Sequence, residues 1–299
     1  MPRRPDYLDP KTLAKMDRLD LLARFVVEGY LAGTHRSPYR GFAVEFAEHR
    51  EYSPGDEIKH IDWRVHARTD RYYVKQYQTE TNFTCHLLLD ASESMRYSHN
   101  ELTKLHYAKC MAASLAYLIL AQQDRVAVGV FDEELRTYLE PSGRKGHLSR
   151  IVERLDVEPG ERKTDIGAIL NQFADRIEKR GIVILISDLL GRPEQVAQGI
   201  QHLRFAGHEC IIFQVLDHYE WTFPFEGMWK FLGLEGYPEL LARPRDLRVS
   251  YLQALADFNR RLQEACNRNR TDLIPIDTDH PLDLVLTSYL VRREKYAGR

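Results

Sequence analysis

No two cysteines of the 299-residue chain form a Cys-x-x-Cys pair; the four, Cys85, Cys110, Cys210 and Cys266, lie far apart. This spacing argues against a disulfide framework, a zinc cluster and a redox motif, and leaves buried thiols. Long apolar runs are also missing: stretches such as 182–186 and 211–216 are strand-sized, far short of the roughly 20 residues a membrane span needs. The N-terminal Met-Pro-Arg-Arg-Pro-Asp leads into charged residues without the apolar core of a signal peptide, so a cytoplasmic protein is expected. Neither sign of charge dominates. With 42 Lys and Arg against 44 Asp and Glu, the formal net charge of -2 gives no global field to recruit nucleic acid or an anionic membrane. No GxxxxGK[ST] loop is present to cradle a nucleotide. What remains is 43% hydrophobic and 29% charged, ordinary for a soluble globular chain. The length suffices for one large domain, or one large and one small.

The chain is organised around Leu87-Leu88-Leu89-Asp90-Ala91-Ser92-Glu93-Ser94-Met95-Arg96, where an aliphatic buried-strand run stops on an Asp-x-Ser-x-Ser cluster. Alternate residues of an extended segment point the same way, so Asp90, Ser92 and Ser94 are expected to present one carboxylate and two hydroxyls together. Such sparse, hard oxygen donors suit Mg2+ better than Zn2+ or Ca2+. Asp, Ser and Glu after a strand are equally ordinary as turn and N-cap residues, so the pentapeptide alone fits either role. Two further oxygen-bearing residues stand where an α/β chain could bring them to the same sheet edge. Thr164 opens a helix start, Thr164-Asp165-Ile166-Gly167, and Asp188 ends the apolar strand 181–188.

This combination resembles the metal-ion-dependent adhesion site of von Willebrand factor A-like domains: Asp-x-Ser-x-Ser after the first strand, Thr on a middle loop, Asp after a later strand. The resemblance implies an α/β, doubly wound, mostly parallel sheet. In it, Asp90, Ser92, Ser94, Thr164 and Asp188 would hold Mg2+, or Mn2+ or Ca2+ in its place, some through water. One coordination position would remain for an acidic side chain of a protein partner.

Upstream, residues 11 to about 32 carry apolar side chains at three- and four-residue steps (Leu13, Met16, Leu19, Leu22, Tyr30) and read as an amphipathic helix closed by Gly33. Alternation around Phe42, Val44 and Phe46 predicts a strand, and Ser53-Pro54-Gly55-Asp56 a turn, giving a small β-rich module. Basic and aromatic residues interleave there (Arg50, Tyr52, Trp63, Arg64, Arg68), as a nucleic-acid surface would require. Eight Lys or Arg face seven Asp or Glu between residues 36 and 75, however, which favours internal pairing. Arg50-x-Tyr52-x-Pro54-Gly55-Asp56, followed by Ile61-Asp62-Trp63 and Ala67-Arg68 and leading into the Asp-x-Ser-x-Ser strand, is similar to the bacterial domain of unknown function 58 family. In that family the motif precedes a von Willebrand A-like domain, and members are commonly encoded beside MoxR-type AAA+ ATPases. Many relatives carry N-terminal membrane spans, which this sequence lacks, so envelope-attached roles are not carried over.

The expected division is an N-terminal helix and β-rich module at 1–81 and the von Willebrand A-like domain at 82–299. Strands are predicted at 83–90, 125–131, 182–188, 209–216 and 272–276, with 135–139 as an antiparallel edge. Helices are predicted at 102–123, 147–156, 164–180, 194–205, 247–268 and 281–293. Residues 217–246, rich in aromatics, glycine and proline, break the rhythm as an irregular excursion. Its aromatics fill a local core or offer a docking patch. Asp277 and Asp279, after the last strand, are assigned to turn and capping work.

No catalytic residue is assigned. Ser92 stands where an aspartyl-phosphate enzyme would place its second carboxylate, and Glu93, Asp165 and His99 are only loose neighbours as bases. The expected function is therefore non-enzymatic Mg2+-dependent protein binding. By family resemblance this is the role of an adaptor or assembly factor working with a MoxR-type AAA+ ATPase. A Mg2+-dependent hydrolase using the same five residues and a nucleic-acid-binding protein are the alternatives.

Overall fold

The computed structural model describes residues 83–297 except 161–163 and 235–237, with positions 18, 19, 21, 23, 27, 49–51, 68 and 72–75; at 49–51, at 73–75 and beyond 289 only the backbone is described. The chain divides into two compact units, Arg36–Asn82 and a larger one of Met1–His35 with Phe83–Arg299. Positions 19, 21, 23 and 27 are helical, and Leu19 and Ala23 are buried in the larger unit's core. The N-terminal helix therefore groups with the large unit, whereas the sequence suggested grouping it with the β-rich module. In the smaller unit, β1 (His49–Glu51) pairs antiparallel with β2 (Tyr73–Lys75). The strand expected around 42–46, the turn at 53–56 and Trp63 lie outside the described residues.

The larger unit is built on a six-stranded sheet. Its strands are β3 (Thr84–Asp90), β4 (Arg125–Phe131), β5 (Leu135–Ser142), β6 (Ile182–Ser187), β7 (Glu209–Leu216) and β10 (Asp272–Asp277). The order across the sheet is β10-β7-β6-β3-β4-β5, all parallel except β5, which runs antiparallel to β4 at the edge. Every residue of β3 is buried, because helices cover both faces of a parallel sheet. The pleat sends Cys85, Leu87 and Leu89 to one core with α1 (Lys104–Ala121) and α2 (His147–Leu155). Leu88 goes to the other core with α3 (Ile166–Arg176), α4 (Pro193–Phe205) and α6 (Pro244–Arg268). On α1, Ala108, Ala112, Ala113 and Ala116 are fully buried, and their small size lets the helix lie close to the sheet.

This is the expected doubly wound, mostly parallel α/β fold, and the differences from expectation are at element ends. Helix α3 starts two residues late because Asp165 is its N-cap, the carboxylate accepting from Ala168 N at 3.0 Å. Helix α6 starts three residues early because Pro244 occupies its first position, where a missing N–H is harmless. Helix α7 (Leu282–Ala297) closes the chain. The excursion forms a short helix, α5 (His218–Thr222), and a hairpin of β8 (Trp229–Phe231) with β9 (Leu240–Ala242). Its aromatics do form a local core: Phe223 stacks on Tyr251 at 4.4 Å between centroids, and Phe225 meets Trp229 edge-on at 5.1 Å. The outer face stays apolar and exposed at Met228, Leu232 and Leu241.

Candidate functional site

From β3 the chain moves one way through β4 and β5, then returns to the other side of β3 for β6, β7 and β10. The order reverses between β3 and β6, and in open α/β sheets the crevice beyond the carboxyl ends at such a point is where ligands bind. Asp90 is the last residue of β3, and Asp188 directly follows β6. Both are buried, at 1% exposure each. Leu89 is paired with Ile186, so the two carboxylates leave the sheet side by side.

The Asp-x-Ser-x-Ser segment is not extended throughout, as the i, i+2, i+4 argument assumed. Ser92 keeps an extended backbone, but Glu93–Arg96 curl into a 3-10 turn that carries Ser94. The hydroxyls meet nonetheless, with Ser92 Oγ 3.0 Å from Ser94 Oγ. Asp90 is held by two donors, Ser92 N to Oδ1 at 2.9 Å and Ser187 Oγ to Oδ2 at 2.6 Å.

Thr164 arrives on the loop between α2 and α3, which is pinned to the same turn by Gly160 N donating to Ala91 O at 2.6 Å. A side chain at Gly160 would press on Asp132, whose carboxylate would have to shift. The Thr164 hydroxyl is buried and has no hydrogen-bond partner. Thr164, Ser94, Asp165, Leu190 and Glu220 line one open groove of about 970 Å³. Asp188 sits at a strained turn: Leu189, fully buried, has a left-handed backbone at φ 59°. Such a conformation is costly for a leucine and persists only where the surroundings over-determine it. Here Leu189 N donates to Ser187 Oγ at 2.9 Å and Leu190 N to Asp188 Oδ1 at 3.0 Å.

Electrostatics single out the pair of carboxylates. Burial raises the Asp90 pKa, the negative Asp188 raises it further, and the bonds from Ser187 and Ser92 only partly offset this. One member of this pair has a cation of its own: Lys104 Nζ lies 2.8 Å from Asp188 Oδ2 and 2.8 Å from Glu220 Oε1. Burial works against the lysine's charge, but Asp188 and Glu220 outweigh it and hold the ammonium above the ordinary lysine range. Glu220 also belongs to the capping box of α5, accepting from Asp217 N at 2.8 Å.

The donor set fits a hard divalent ion: two carboxylates, two adjacent hydroxyls and a buried hydroxyl left without a partner. Among the described residues no group of three or more His, Cys, Asp or Glu could hold a metal, and the five candidate donors include only two carboxylates beside their hydroxyls. Two of the three suggested bases have partners of their own. Asp165 caps α3, and His99 is turned to Asp217, with Nδ1 2.9 Å from each carboxylate oxygen.

Sequence reasoning missed Lys104, Ser187 and Glu220. Ser187 could have been noticed as a polar residue closing an apolar strand, and Asp217-x-x-Glu220 is a readable capping box. Lys104 gave no signal, since its two partners lie 84 and 116 residues away. Asp277 does bind the backbone of its own turn, accepting from Asp279 N at 2.9 Å, and also pairs with His218 Nδ1 at 2.8 Å.

Curated relatives include uncharacterized proteins of Mycobacterium tuberculosis and Mycobacterium bovis, each 26% identical over 217 residues, 72% of this chain and 68% of theirs. Among solved structures, a conserved hypothetical protein BatB from Bacteroides thetaiotaomicron is 15% identical with a TM-score of 0.47, covering 71% of this chain and 99% of its own. The SpRpn10 VWA domain is 12% identical with a TM-score of 0.40, covering 69% of this chain and 94% of its own. A family model matches residues 48–261, and the chain belongs to that family, described as protein of unknown function DUF58.

Proposed function

We propose that the protein is a non-enzymatic, Mg2+-dependent protein-interaction module of the von Willebrand A-like class, whose metal is held by Asp90, Ser92, Ser94, Thr164 and Asp188. The observation that supports this is the buried, unpartnered Thr164 hydroxyl, which lines the same groove as Ser94. When bound, the ion would offer an open coordination position to a carboxylate of a partner protein. The chain's own residues supply the rest. Asp90 and Asp188 balance the ion's charge, Ser187 and the Leu190 amide orient the two carboxylates, and the groove beside Leu190 and Leu232 receives the partner's neighbouring side chains. Asp165 caps α3, and His99 lines a neighbouring groove with Tyr219 and Phe225 rather than the one lined by Ser94 and Thr164, which supports binding over hydrolysis.

The partner system follows from the family resemblance: an adaptor or assembly factor acting with a MoxR-type AAA+ ATPase. The cytoplasmic setting expected from the sequence belongs to the same proposal. No helix among the described residues is long and apolar enough to cross a membrane.

The test combines calorimetric Mg2+ titration with co-purification of a MoxR-type ATPase in Mg2+ or in EDTA, on wild type, Asp90→Ala and Asp188→Ala. The expected outcome is metal uptake and ATPase recovery by the wild type alone, with all three proteins folded. Equal metal uptake by both variants would remove the site, and ATPase recovery unchanged by EDTA would remove the metal from the partner contact.

A further inference from the structure

Lys104 stands where general rules of side-chain placement argue against a lysine. It is the first residue of α1, at the positive end of the helix dipole, where a cation is disfavoured. Its side chain is completely buried, and an ammonium removed from water is costly unless it is paired and hydrogen-bonded. The compensation is two carboxylate contacts at 2.8 Å, to Asp188 and Glu220, with the Tyr97 ring 5.8 Å from Nζ. Asp188 Oδ1 is taken by the Leu190 amide, so both oxygens of this carboxylate already accept a hydrogen bond.

Charge around the site follows directly. With a metal bound and all three carboxylates ionised, Asp90, Asp188 and Glu220 would carry three negative charges and Lys104 one positive, which leaves two to be balanced and matches a divalent ion. That ion, however, would draw on a carboxylate whose electron density is already shared with an ammonium. Two cations on one carboxylate repel each other, and they do so strongly where water is excluded. The ammonium cannot diffuse away, because it is anchored through its stem to α1 and through Glu220 to the capping box of α5.

Building on the metal site proposed above, we propose that Lys104 is a tethered counter-ion that keeps the divalent ion weakly held until a partner's carboxylate completes its coordination. An acidic side chain arriving at the open position adds the negative charge that the Lys104 pair has withdrawn from Asp188. Metal and partner then bind together rather than in sequence. Lys104 touches neither ion nor partner; it acts through Asp188 as a positioning residue.

The experiment titrates Mg2+ and Mn2+ calorimetrically into the full chain as wild type, Lys104→Met, Lys104→Gln and Asp90→Ala, with circular dichroism as the check of folding. Gln keeps an N–H donor for Asp188 without the charge, so it carries the measurement if the Met variant does not fold. The expected result is metal binding by both Lys104 variants at least about tenfold tighter than by wild type, with none by Asp90→Ala. Binding by wild type that is no weaker than by the Lys104 variants would overturn the counter-ion while leaving the metal site intact. Absence of metal uptake by wild type and by both Lys104 variants would overturn the metal site itself and the counter-ion with it.

Discussion

His86 shows how burial sets the chemistry of a single side chain. It lies on β3 at 3% exposure, its Nδ1 3.2 Å from the Tyr138 hydroxyl and its Nε2 without a partner. Burial first, and the neighbouring His208 second, lower its pKa from 6.5 to about 4. An unfolded chain therefore binds a proton that the folded one refuses between these values. The stability is complete above pH 6.5 and is lost as the pH falls towards 4, on the order of 3 kcal/mol in all. His208, lowered by its own burial, acts in the same direction. Urea melts at pH 7 and pH 4.5 should show a smaller loss for His86→Gln than for wild type; parallel losses would exclude His86 as the responsible group. The thiols follow the same rule. Burial pushes Cys110, Cys210 and Cys266 up to about 12, and Cys85 is 1% exposed. A thiol-specific reagent at pH 8 should modify none of the four in the native protein and all four in denaturant. Rapid native modification would place a cysteine at the surface.

At the scale of elements, the crossing of α3 and α4 fixes where the Thr164 loop is delivered. The two helices meet through glycine. A Cβ on Gly167 would lie 2.7 Å from the Gln195 carbonyl, and one on Gly199 2.6 Å from Leu170 Cβ. Neither contact is possible without moving a helix. Gly199→Ala should therefore cost roughly 1–3 kcal/mol in chemical denaturation despite alanine's better helix propensity. Gly191→Ala, whose added atom would come no nearer than 4.0 Å to the Leu189 carbonyl, should change little. Equal effects of the two would mean that the crossing is not tight. Gly167→Ala presses on the first turn of α3, next to Asp165 and Thr164, so any metal affinity should fall with stability. The alanines of α1 form a close-packing stripe along a single helix, but Gly167 and Gly199 are single residues on two helices. Only the crossing pairs them.

For the whole molecule, the balanced charge and the engaged candidate bases argue together. Titration with single- or double-stranded nucleic acid should show no steep, salt-dependent association, since steepness requires several phosphates to be neutralised at once. Phosphatase and nuclease assays should show no turnover that depends on Asp90. Either activity, lost in Asp90→Ala with the fold intact, would restore the hydrolase alternative. The sequence alone determined the order and type of the main strands and helices of the larger unit, though not those of the 217–246 excursion. Aliphatic runs such as 87–89 and 182–186 bury both faces of a parallel strand, and helical periodicity with small residues does the rest. It also offered Asp90, Ser92, Ser94, Thr164 and Asp188 as candidate oxygen donors, because polar residues that close an apolar strand or open a helix stand out in a linear pattern. Three things were left to the tertiary structure. The 3-10 turn at Glu93–Arg96 joins Ser94 to Ser92, the Gly160 contact brings in Thr164, and Lys104 lies between Asp188 and Glu220. Each depends on contacts between segments distant in the chain or on a local backbone choice made under packing. A buried charge in particular leaves no mark on periodicity: it is tolerated only because folding brings its counter-charges to it.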